Sequence, residues 1–509
     1  MQNLSTESKW LLWAAINRAV DMTLLAGAAI GGSSLAKLPY VALMFALCSS
    51  PIAFVGRLNG AFAMLGVAMA AFFFKFAMLD AVSLVSPPLL ATSSDSILDG
   101  GEIILFLAAL MQVVGFHIGA RILASRTNGR IAKDWPESLL VPAGLLLWSL
   151  GCGANLYQNL IIQVGSSDAV VKASFTKLGV WGTSGLMLVN YAGPLGIVIL
   201  AYWWASARRR YGNALMLGII VAQFAVGWAV DTKEVAVNAP MVMLLTRFVV
   251  QGKIPVRWLV CSILGIVLVF PILTAKRAIT TEALHLTNVQ ALPRAGEILW
   301  RAITERNAAL AGKYAGKTQT FLERATDKGS VELFVERVGN SQPYKMGATF
   351  LPMLYVFIPR LVFSDKPGGN SAQTFNRDFH LSEDPDTYMS PSHVGELYWN
   401  FGILGEVAGM LMIGILLGFV CARFDLSKQT SLTRVLVIIV TLYELVARAG
   451  GQIELEYVLW ARTLLLIGIL HWLFARYPRR NVVAAASDSN YPARQDDSKA
   501  PARFPHLLH

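Results

Sequence analysis

Residues 347–405 decide how the rest of the chain is interpreted. They begin with GATFLPMLYVFIPRLVFSDKPGG at 347–369, pass through a polar stretch, and end with SPSHVGELYWNFGILG at 390–405. The apolar segment Thr349–Phe363 contains Pro352 and Pro359 and has only 15 residues, whereas a membrane-spanning helix needs roughly 20. Irregular or short segments at membrane depth are tolerated where protein buries them or where they line a cavity. The sequence therefore predicts a re-entrant or interfacial helix at 349–363.

The composition is that of an integral membrane protein. Of the 509 residues, 55% are hydrophobic and 15% are charged, against about 25% charged residues in ordinary soluble domains. The apolar runs are continuous, which favours helices and argues against the alternating pattern of a transmembrane barrel. The formal net charge of +11 is assigned mainly to cytoplasmic connectors, so no nucleic-acid partner is expected. The partner that the composition does predict is the phospholipid bilayer.

The apolar runs predict an all-α polytopic protein with about 12 transmembrane helices. The segments are 10–30, 38–55, 60–79, 102–120, 139–153, 184–204, 214–230, 235–250, 258–273, 401–421, 434–447 and 457–474. They divide the chain into four parts: helices 1–9 in 1–273, a large late extracytoplasmic loop region in 274–400, helices 10–12 in 401–474, and a disordered cytoplasmic tail in 475–509. Residues 295–310 and 331–338 in the loop region have the apolar spacing of amphipathic helices.

The basic connectors set the orientation. Lys and Arg collect in 121–134, 208–210, 251–257, 422–433 and directly after 475. With twelve spans and both termini in the cytoplasm, all of these fall on the cytoplasmic side, as the positive-inside rule requires. A thirteenth span at 349–363 would move the last two connectors to the opposite face. The loop region is therefore predicted to be extracytoplasmic.

Cations on the predicted outer side suit the binding of a phosphate group. Guanidinium groups bind phosphate bidentately, and ammonium groups bind it as point charges. Such cations at a membrane–water boundary would hold a pyrophosphate whose lipid tail stays in the bilayer. The alternative is that they neutralise nearby acids or anchor the chain at the interface. The candidate residues are Lys233, Lys276, Arg277, Arg360, Lys366 and Arg448.

His393 and Glu396 are the candidate general bases. If the tenth helix begins slightly before Phe401, the two lie on one face, and Asn400 follows one turn later. Asn400 and its neighbour Tyr398 are candidate substrate-binding residues. A base at this place would take a proton from a sugar hydroxyl. The alternative for Glu396 is a carboxylate that interacts with a helix dipole. Because the sequence has no Walker loop, no HExxH and no acidic metal cluster on this side, catalysis without a metal or another cofactor is expected.

The order MGATF…IPR…KPGGN…SPSHVGELYWNFGILGE over 346–406 resembles the Wzy-type O-antigen and exopolysaccharide repeat-unit polymerases, within the O-antigen polymerase and ligase superfamily. The resemblance implies a GT-C-like inverting glycosyltransferase of the bacterial inner membrane. Such an enzyme is active on the periplasmic face and joins undecaprenyl-pyrophosphate-linked oligosaccharide units. A polysaccharide co-polymerase, which regulates chain length, is the partner expected from the family.

The resemblance also assigns residues. Arg360 and Lys366 match the cations of the IPR…KP pattern, and Glu396 with Asn400 matches the polar positions before the helix. The related ligases place a catalytic His ahead of a Gly-x-x-Gly turn. Gly402 and Gly405 form such a turn here, but His393 lies closer to it than in the ligases. That departure favours a polymerase and leaves the base open between His393 and Glu396.

Two other functions compete with a polymerase. An O-antigen ligase would transfer the glycan to lipid A core or protein. A transporter or flippase of a lipid-linked sugar would require ionisable residues at mid-membrane on broken helices, for which Arg18, Asp21 and Lys75 are the candidates. The chain contains no internal repeat, which weakens an inverted-repeat transporter.

Overall fold

The structure is a computed structural model, and it describes most of the chain up to residue 475. The described residues are 6–31, 35–51, 59–85, 99–122, 135–161, 167–206, 211–230, 233–251, 256–277, 279, 288–304, 327–355, 371–382, 388–424 and 431–475. Every regular element within these ranges is a helix.

The helices follow the predicted segments closely. They are α1 Thr6–Gly31, α2 Leu38–Ser49, α3 Asn59–Phe76, α4 Met78–Val85, α5 Gly100–Ile122, α6 Glu137–Leu156, α7 Ser167–Ser206, α8 Gly212–Val230, α9 Lys233–Gln251, α10 Val256–Arg277, α11 Asn288–Ala291, α12 Ala295–Thr304, α13 Lys328–Arg337, α14 Leu351–Tyr355, α15 Ser371–Phe379, α16 His393–Arg423, α17 Leu432–Thr441 and α18 Ile453–Ala475. Single turns of 3-10 helix lie at Leu35–Lys37, Leu292–Arg294 and Ala348–Phe350, and π-helical turns at Tyr157–Ile161 and Leu442–Ala447.

Five of the described helices are long and apolar enough to cross a membrane. They are Gly100–Arg121, Glu137–Asn159, Gly212–Val230, His393–Arg423 and Ile453–Phe474. This finding is consistent with the predicted all-α membrane protein. The larger number of about twelve crossings, and a GT-C-like arrangement, stay predictions.

The greatest difference from the predicted segments is in α7. The polar stretch between the predicted helices 139–153 and 184–204 predicts a loop of about 30 residues, but α7 begins at Ser167 and has 40 residues. Its first part, SDAVVKASFTKLGVW, has a serine at the start and no proline, so nothing in it stops a helix. Polarity alone led to the prediction of a loop. The predicted re-entrant segment at 349–363 is described only to residue 355, where it is helical, and its remainder lies outside the described residues.

The tightest helix pair is α5 with α16. Gly115 and Gly119 of α5 face the backbone of Leu411 and Ile415, and Gly414 of α16 faces the backbone of Gln112. An added Cβ at any of these glycines would overlap a carbonyl oxygen of the other helix. Because these contacts advance together along both chains, the two helices run parallel. Small residues at four-residue spacing allow this approach, as in other membrane helix pairs.

Contacts between the helix ends sort into two groups. The first end, here called the loop end, contains α13, α15 and residues 448–453. Its contacts are Lys37 with Glu102, Asp80 with Lys328, Trp228 with Lys276, Glu234 with Arg448, and His393 with Ala449. The contacts at the opposite end are Trp13 with Ser49, Trp135 with Phe474, Ala205 with Gln251, Trp204 with Asn213, and Thr433 with His471. The connectors predicted to be extracytoplasmic thus meet at one end of the bundle.

A buried ion cluster fastens α13 to the bundle at the loop end. Lys328 Nζ lies 2.7 Å from Asp80 Oδ2, 2.8 Å from Glu102 Oε1 and 3.2 Å from Glu332 Oε1. Lys37 Nζ shares Glu102 at 2.7 Å. Burial opposes the charge on Lys328, but the surrounding carboxylates outweigh it and raise the pKa of the ammonium group. Burial raises the pKa of the Asp80 carboxyl despite Lys328. Three carboxylates contact the Lys328 ammonium group, so it stays charged within the cluster.

Candidate functional site

The candidate site is built on the first two turns of α16. Ser392 precedes the helix with a φ of 59°, and its Oγ accepts a hydrogen bond from Gly395 N at 3.2 Å, which is an N-cap. The helix therefore begins at His393, before Phe401, which is the condition under which His393 and Glu396 were predicted to lie on one face.

Gly402 divides α16 into a short helix and a long one. Its φ of 66° and ψ of −153° belong to a region that essentially only glycine adopts. The break leaves the carbonyl oxygens of Trp399 and Asn400 without their helical donors. The backbone N–H groups of Lys345 and Met346 donate to them at 3.0 and 3.1 Å. These two hydrogen bonds join residues 345–346 to the broken helix.

Glu396 lies between α16 and the start of α18. Its Oε2 accepts a hydrogen bond of 2.7 Å from Ile453 N, the first N–H of α18. A carboxylate is stabilised at such a helix N-terminus. The predicted alternative role of Glu396, an interaction with a helix dipole, thus exists in the structure, although the helix it caps is α18 and not its own.

Glu396 and Glu454 form a buried pair of carboxyl groups. The Glu454 carboxyl and the Thr349 side chain lie within electrostatic range of Glu396, whereas Glu396 Oε1 and Glu454 Oε2 have no hydrogen-bond partner among the described residues. Glu396 is 0% exposed and Glu454 is 1% exposed. Two ionised carboxylates that lie close together repel strongly where there is no water, so burial and the neighbouring Glu454 both favour the neutral form of Glu396. A carboxyl pair that holds one proton can give that proton up or take a second one, which is the property of a general acid–base group.

Asn400 holds the chain before α14 against α16. Its Nδ2 donates to Thr349 Oγ1 and to Glu396 O, both at 2.8 Å, and its Oδ1 accepts from Gly347 N at 2.9 Å. It therefore acts as a positioning residue for the wall of the site. Tyr398, the other predicted binding residue of this turn, is 8% exposed.

His393 lies on the same side of the turn 448–453 as Glu396. Its backbone N–H donates to Ala449 O at 2.9 Å, and its ring centroid lies 6.1 Å from that of Tyr457. The residue is 2% exposed, and among the described residues its Nε2 has no hydrogen-bond partner. The structure therefore brings both predicted bases to one turn and does not choose between them.

Arg448 is surrounded by carboxylates. Its guanidinium lies 3.1 Å from Glu444 Oε2 and 3.5 Å from Glu456 Oε2, and it also contacts Glu234 Oε1. Burial opposes its charge, but these carboxylates outweigh burial and raise its pKa. Because three acids surround one guanidinium, a pyrophosphate would have to displace carboxylates to bind here. The alternative considered for these cations, an ion pair with nearby acids, therefore applies to Arg448 in this structure.

The other predicted cations differ in how much the structure says of them. Lys276 is 3% exposed, and its Nζ donates to Trp228 O at 2.9 Å and lies 5.6 Å from the centre of the Trp228 ring. Lys233 begins α9 and Arg277 ends α10, but their side chains are outside the description. Arg360 and Lys366 lie outside the described residues. Their anion-binding roles stay predictions.

Three residues of the site escaped the sequence analysis as site residues. They are Glu454, Lys75 and Asp327. Lys75 Nζ lies 2.8 Å from Asp327 Oδ2. This ion pair packs against Gly450, where an added Cβ would overlap both charged groups. Lys75 had been considered only as an intramembrane charge. The available signal was the order RAGGQIELE at 448–456, a glycine turn between an arginine and two acids. In the part of the chain that the structure describes, no three His, Cys, Asp or Glu side chains are arranged to hold a metal ion.

Comparison of the chain with protein-family models, with curated proteins and with solved structures gives no match.

Proposed function

We propose that this protein polymerises undecaprenyl-pyrophosphate-linked oligosaccharide repeat units into O-antigen or exopolysaccharide at the periplasmic face of the inner membrane. The single observation that carries the proposal is the Glu396–Glu454 carboxyl pair, buried at the loop end where the described part of the stretch 345–406 packs on the turn 448–454. That stretch is the one whose motif resembles the repeat-unit polymerases. The proposal includes about twelve crossings, both termini in the cytoplasm, and the loop end in the periplasm.

In the proposed reaction, Glu396 acts as the general base. The pair with one shared proton carries one negative charge and takes the proton of the acceptor hydroxyl. The hydroxyl oxygen forms a bond to the anomeric carbon of the donor sugar, while the bond from that carbon to the pyrophosphate oxygen breaks. Undecaprenyl pyrophosphate leaves with the bonding electrons, and the configuration at the carbon inverts. His393, whose Nε2 has no hydrogen-bond partner in the part of the chain that the structure describes, is the alternative base.

The leaving pyrophosphate needs cations that are not already neutralised. Arg448 is held by three carboxylates, so this role falls to Arg360 and Lys366, with Lys233, Lys276 and Arg277 as further candidates. The acceptor reaches the buried carboxyl pair only if the elements that cover it, including Thr349 and the turn 448–453, move apart. Chain-length control by a polysaccharide co-polymerase is an expectation of the resemblance.

The test is chain elongation by purified protein given synthetic lipid-linked repeat units. We expect a ladder of oligomers from the wild type. Glu396→Gln should lower the elongation rate by about 100-fold or more, the usual contribution of a general base. The matched control is Glu297→Gln, which changes a half-exposed acid paired with Arg294 and should leave the ladder unchanged. A wild-type rate in Glu396→Gln would exclude Glu396 as the base.

One observation favours the transporter alternative. Glu406, in the long part of α16, is 0% exposed, and neither of its carboxylate oxygens has a hydrogen-bond partner among the described residues. Isolated acids within membrane helices often lie on ion or proton pathways. Movement of lipid-linked glycan across proteoliposomes without any change in chain length, lost in Glu406→Gln, would favour transport over polymerisation.

A further inference from the structure

A row of amide side chains connects α6 and α7. Asn155 Nδ2 donates to Asn190 Oδ1, Asn190 Nδ2 donates to Gln158 Oε1 at 3.4 Å, and Asn159 Nδ2 donates to Asn155 O at 2.9 Å. These four residues are called the amide row below. All four residues are only partly buried.

The backbone of the amide row departs from α-helical geometry. Tyr157, Gln158 and Asn159 lie in the π-helical turn that ends α6. π-Helical turns are rare and occur frequently at functional sites. Tyr157 itself is 36% exposed, so its ring presents a face beside the amides. A turn of this kind, with two amide side chains within it, is not needed simply to end a helix.

A second, independent polar group lies at the same level. Asn238 of α9 is 8% exposed, and its Oδ1 has no hydrogen-bond partner among the described residues. Gln251 of α9 donates to Ala205 O of α7 at 3.0 Å. Both Asn238 and Ala192 lie 13 residues before that contact. Glu234, four residues before Asn238 in α9, contacts Arg448, and Tyr191 of α7 lies within electrostatic range of the same guanidinium. Asn238 is therefore level with the residues next to Asn190.

The amide row adjoins the candidate site. Tyr191, the neighbour of Asn190 in sequence, lies within electrostatic range of Arg462, Arg448 and Glu444. A chain of sugars that extends from the carboxyl pair past Arg448 would thus come close to the amide row.

The chemistry of these groups indicates the ligand. Each amide offers both donors and an acceptor and carries no charge, and sugar hydroxyls likewise donate and accept. The row contains no Lys, Arg, Asp or Glu, so it offers nothing to neutralise a uronic acid or a phosphate. We propose that the amide row and Tyr157 bind uncharged, hydroxyl-rich sugar residues of the glycan substrate. This inference rests on the proposed function, because it names the part of the substrate that the same site holds.

The competing explanation is that the amides only join two membrane helices, as polar side chains do elsewhere. The two explanations differ in what a substitution changes. An amide that only packs the helices alters thermal stability, whereas an amide that binds sugar alters the concentration of glycan needed for half-saturation.

The test uses the full-length protein in nanodiscs and two readouts. The first is binding to an array of bacterial oligosaccharides, neutral or bearing uronic acids. The second is the KM for lipid-linked repeat units in chain elongation. For Asn190→Ala and Gln158→Ala we expect weaker binding to neutral glycans and a KM raised roughly 3- to 30-fold, as for the loss of one or two neutral hydrogen bonds. The value of kcat should stay within about twofold. The matched control is Asn340→Ala, an exposed amide that donates to Glu336 O.

The outcomes separate this inference from the proposed function. Failure of the wild type to elongate any unit would refute the polymerase, yet selective binding of neutral glycans that Asn190→Ala abolishes would still support the amide row. An unchanged KM and unchanged binding in both variants would overturn the amide row, as would equal binding of acidic glycans by the wild type. Should Asn190→Ala not fold, Gln158→Ala decides the question alone.

Discussion

Replacing Lys328 with methionine tests how α13, at the loop end, is held to the bundle. The substitution keeps most of the side-chain volume and removes the charge. Asp80, which is 2% exposed, then loses its ammonium partner at 2.7 Å, whereas Glu102 keeps Lys37 at 2.7 Å. Breaking a buried ion pair on one side costs about 3–5 kcal/mol. Since one of the two deeply buried acids stays paired, we expect a loss of about 3 kcal/mol in the free energy of unfolding.

The assay is unfolding in mixed SDS–dodecyl maltoside micelles, followed by tryptophan fluorescence. The matched control is Lys345→Met, which breaks a pair with Asp378 whose side chains are 24% and 27% exposed; such a pair is worth about 1 kcal/mol or less. The pH dependence gives a second check. Burial raises the pKa of Asp80, and the loss of Lys328 raises it further. An acid whose folded pKa is raised destabilises the fold as pH rises through that pKa, so Lys328→Met should recover stability towards acidic pH. Equal losses in the two variants, at all pH values, would refute the account of the cluster.

Two further predictions concern glycines, each with a glycine that has open space around it as control. Gly119→Ala should lower the free energy of unfolding by about 1–3 kcal/mol, because the added Cβ forces α5 away from Ile415 of α16. Gly218→Ala has nothing near its added Cβ and should leave the stability unchanged or raise it by up to about 1 kcal/mol. Both variants are measured in the micelle assay, and an unchanged stability of Gly119→Ala would contradict the close packing. Gly402→Ala should lower the free energy of unfolding by about 1–3 kcal/mol, because the backbone conformation of Gly402 is strained for a residue with a Cβ. Gly468→Ala is its control, since nothing lies near an added Cβ there. If Gly402→Ala proves as stable as Gly468→Ala, the break in α16 is not built on the glycine.

The candidate site could be predicted only in part. His393, Glu396 and Asn400 were recognisable because they lie within one helical turn or two of each other, and such neighbours share a face whatever the rest of the fold does. Glu454 could not be recognised as the partner of Glu396, because the two are separated by 58 positions and meet only when α18 packs against α16. The same holds for Lys75 and Asp327. Arg448 was a candidate either for an anion site or for an interfacial anchor, and the structure surrounds it with carboxylates from three helical elements.

The sequence by itself determined the membrane character, the helical class and most helix bounds, because continuous apolar runs leave the backbone no other way to satisfy its hydrogen bonds in lipid. It failed where polarity was taken for a loop, at the start of α7. Only the tertiary structure decided which helices touch. The pairing of Gly115 and Gly119 with Gly414, the cluster around Lys328, and the contact of Glu396 with Glu454 all depend on distances between remote segments. Burial and charge pairing, which decide what an acid or a cation can do, exist only once those segments have packed.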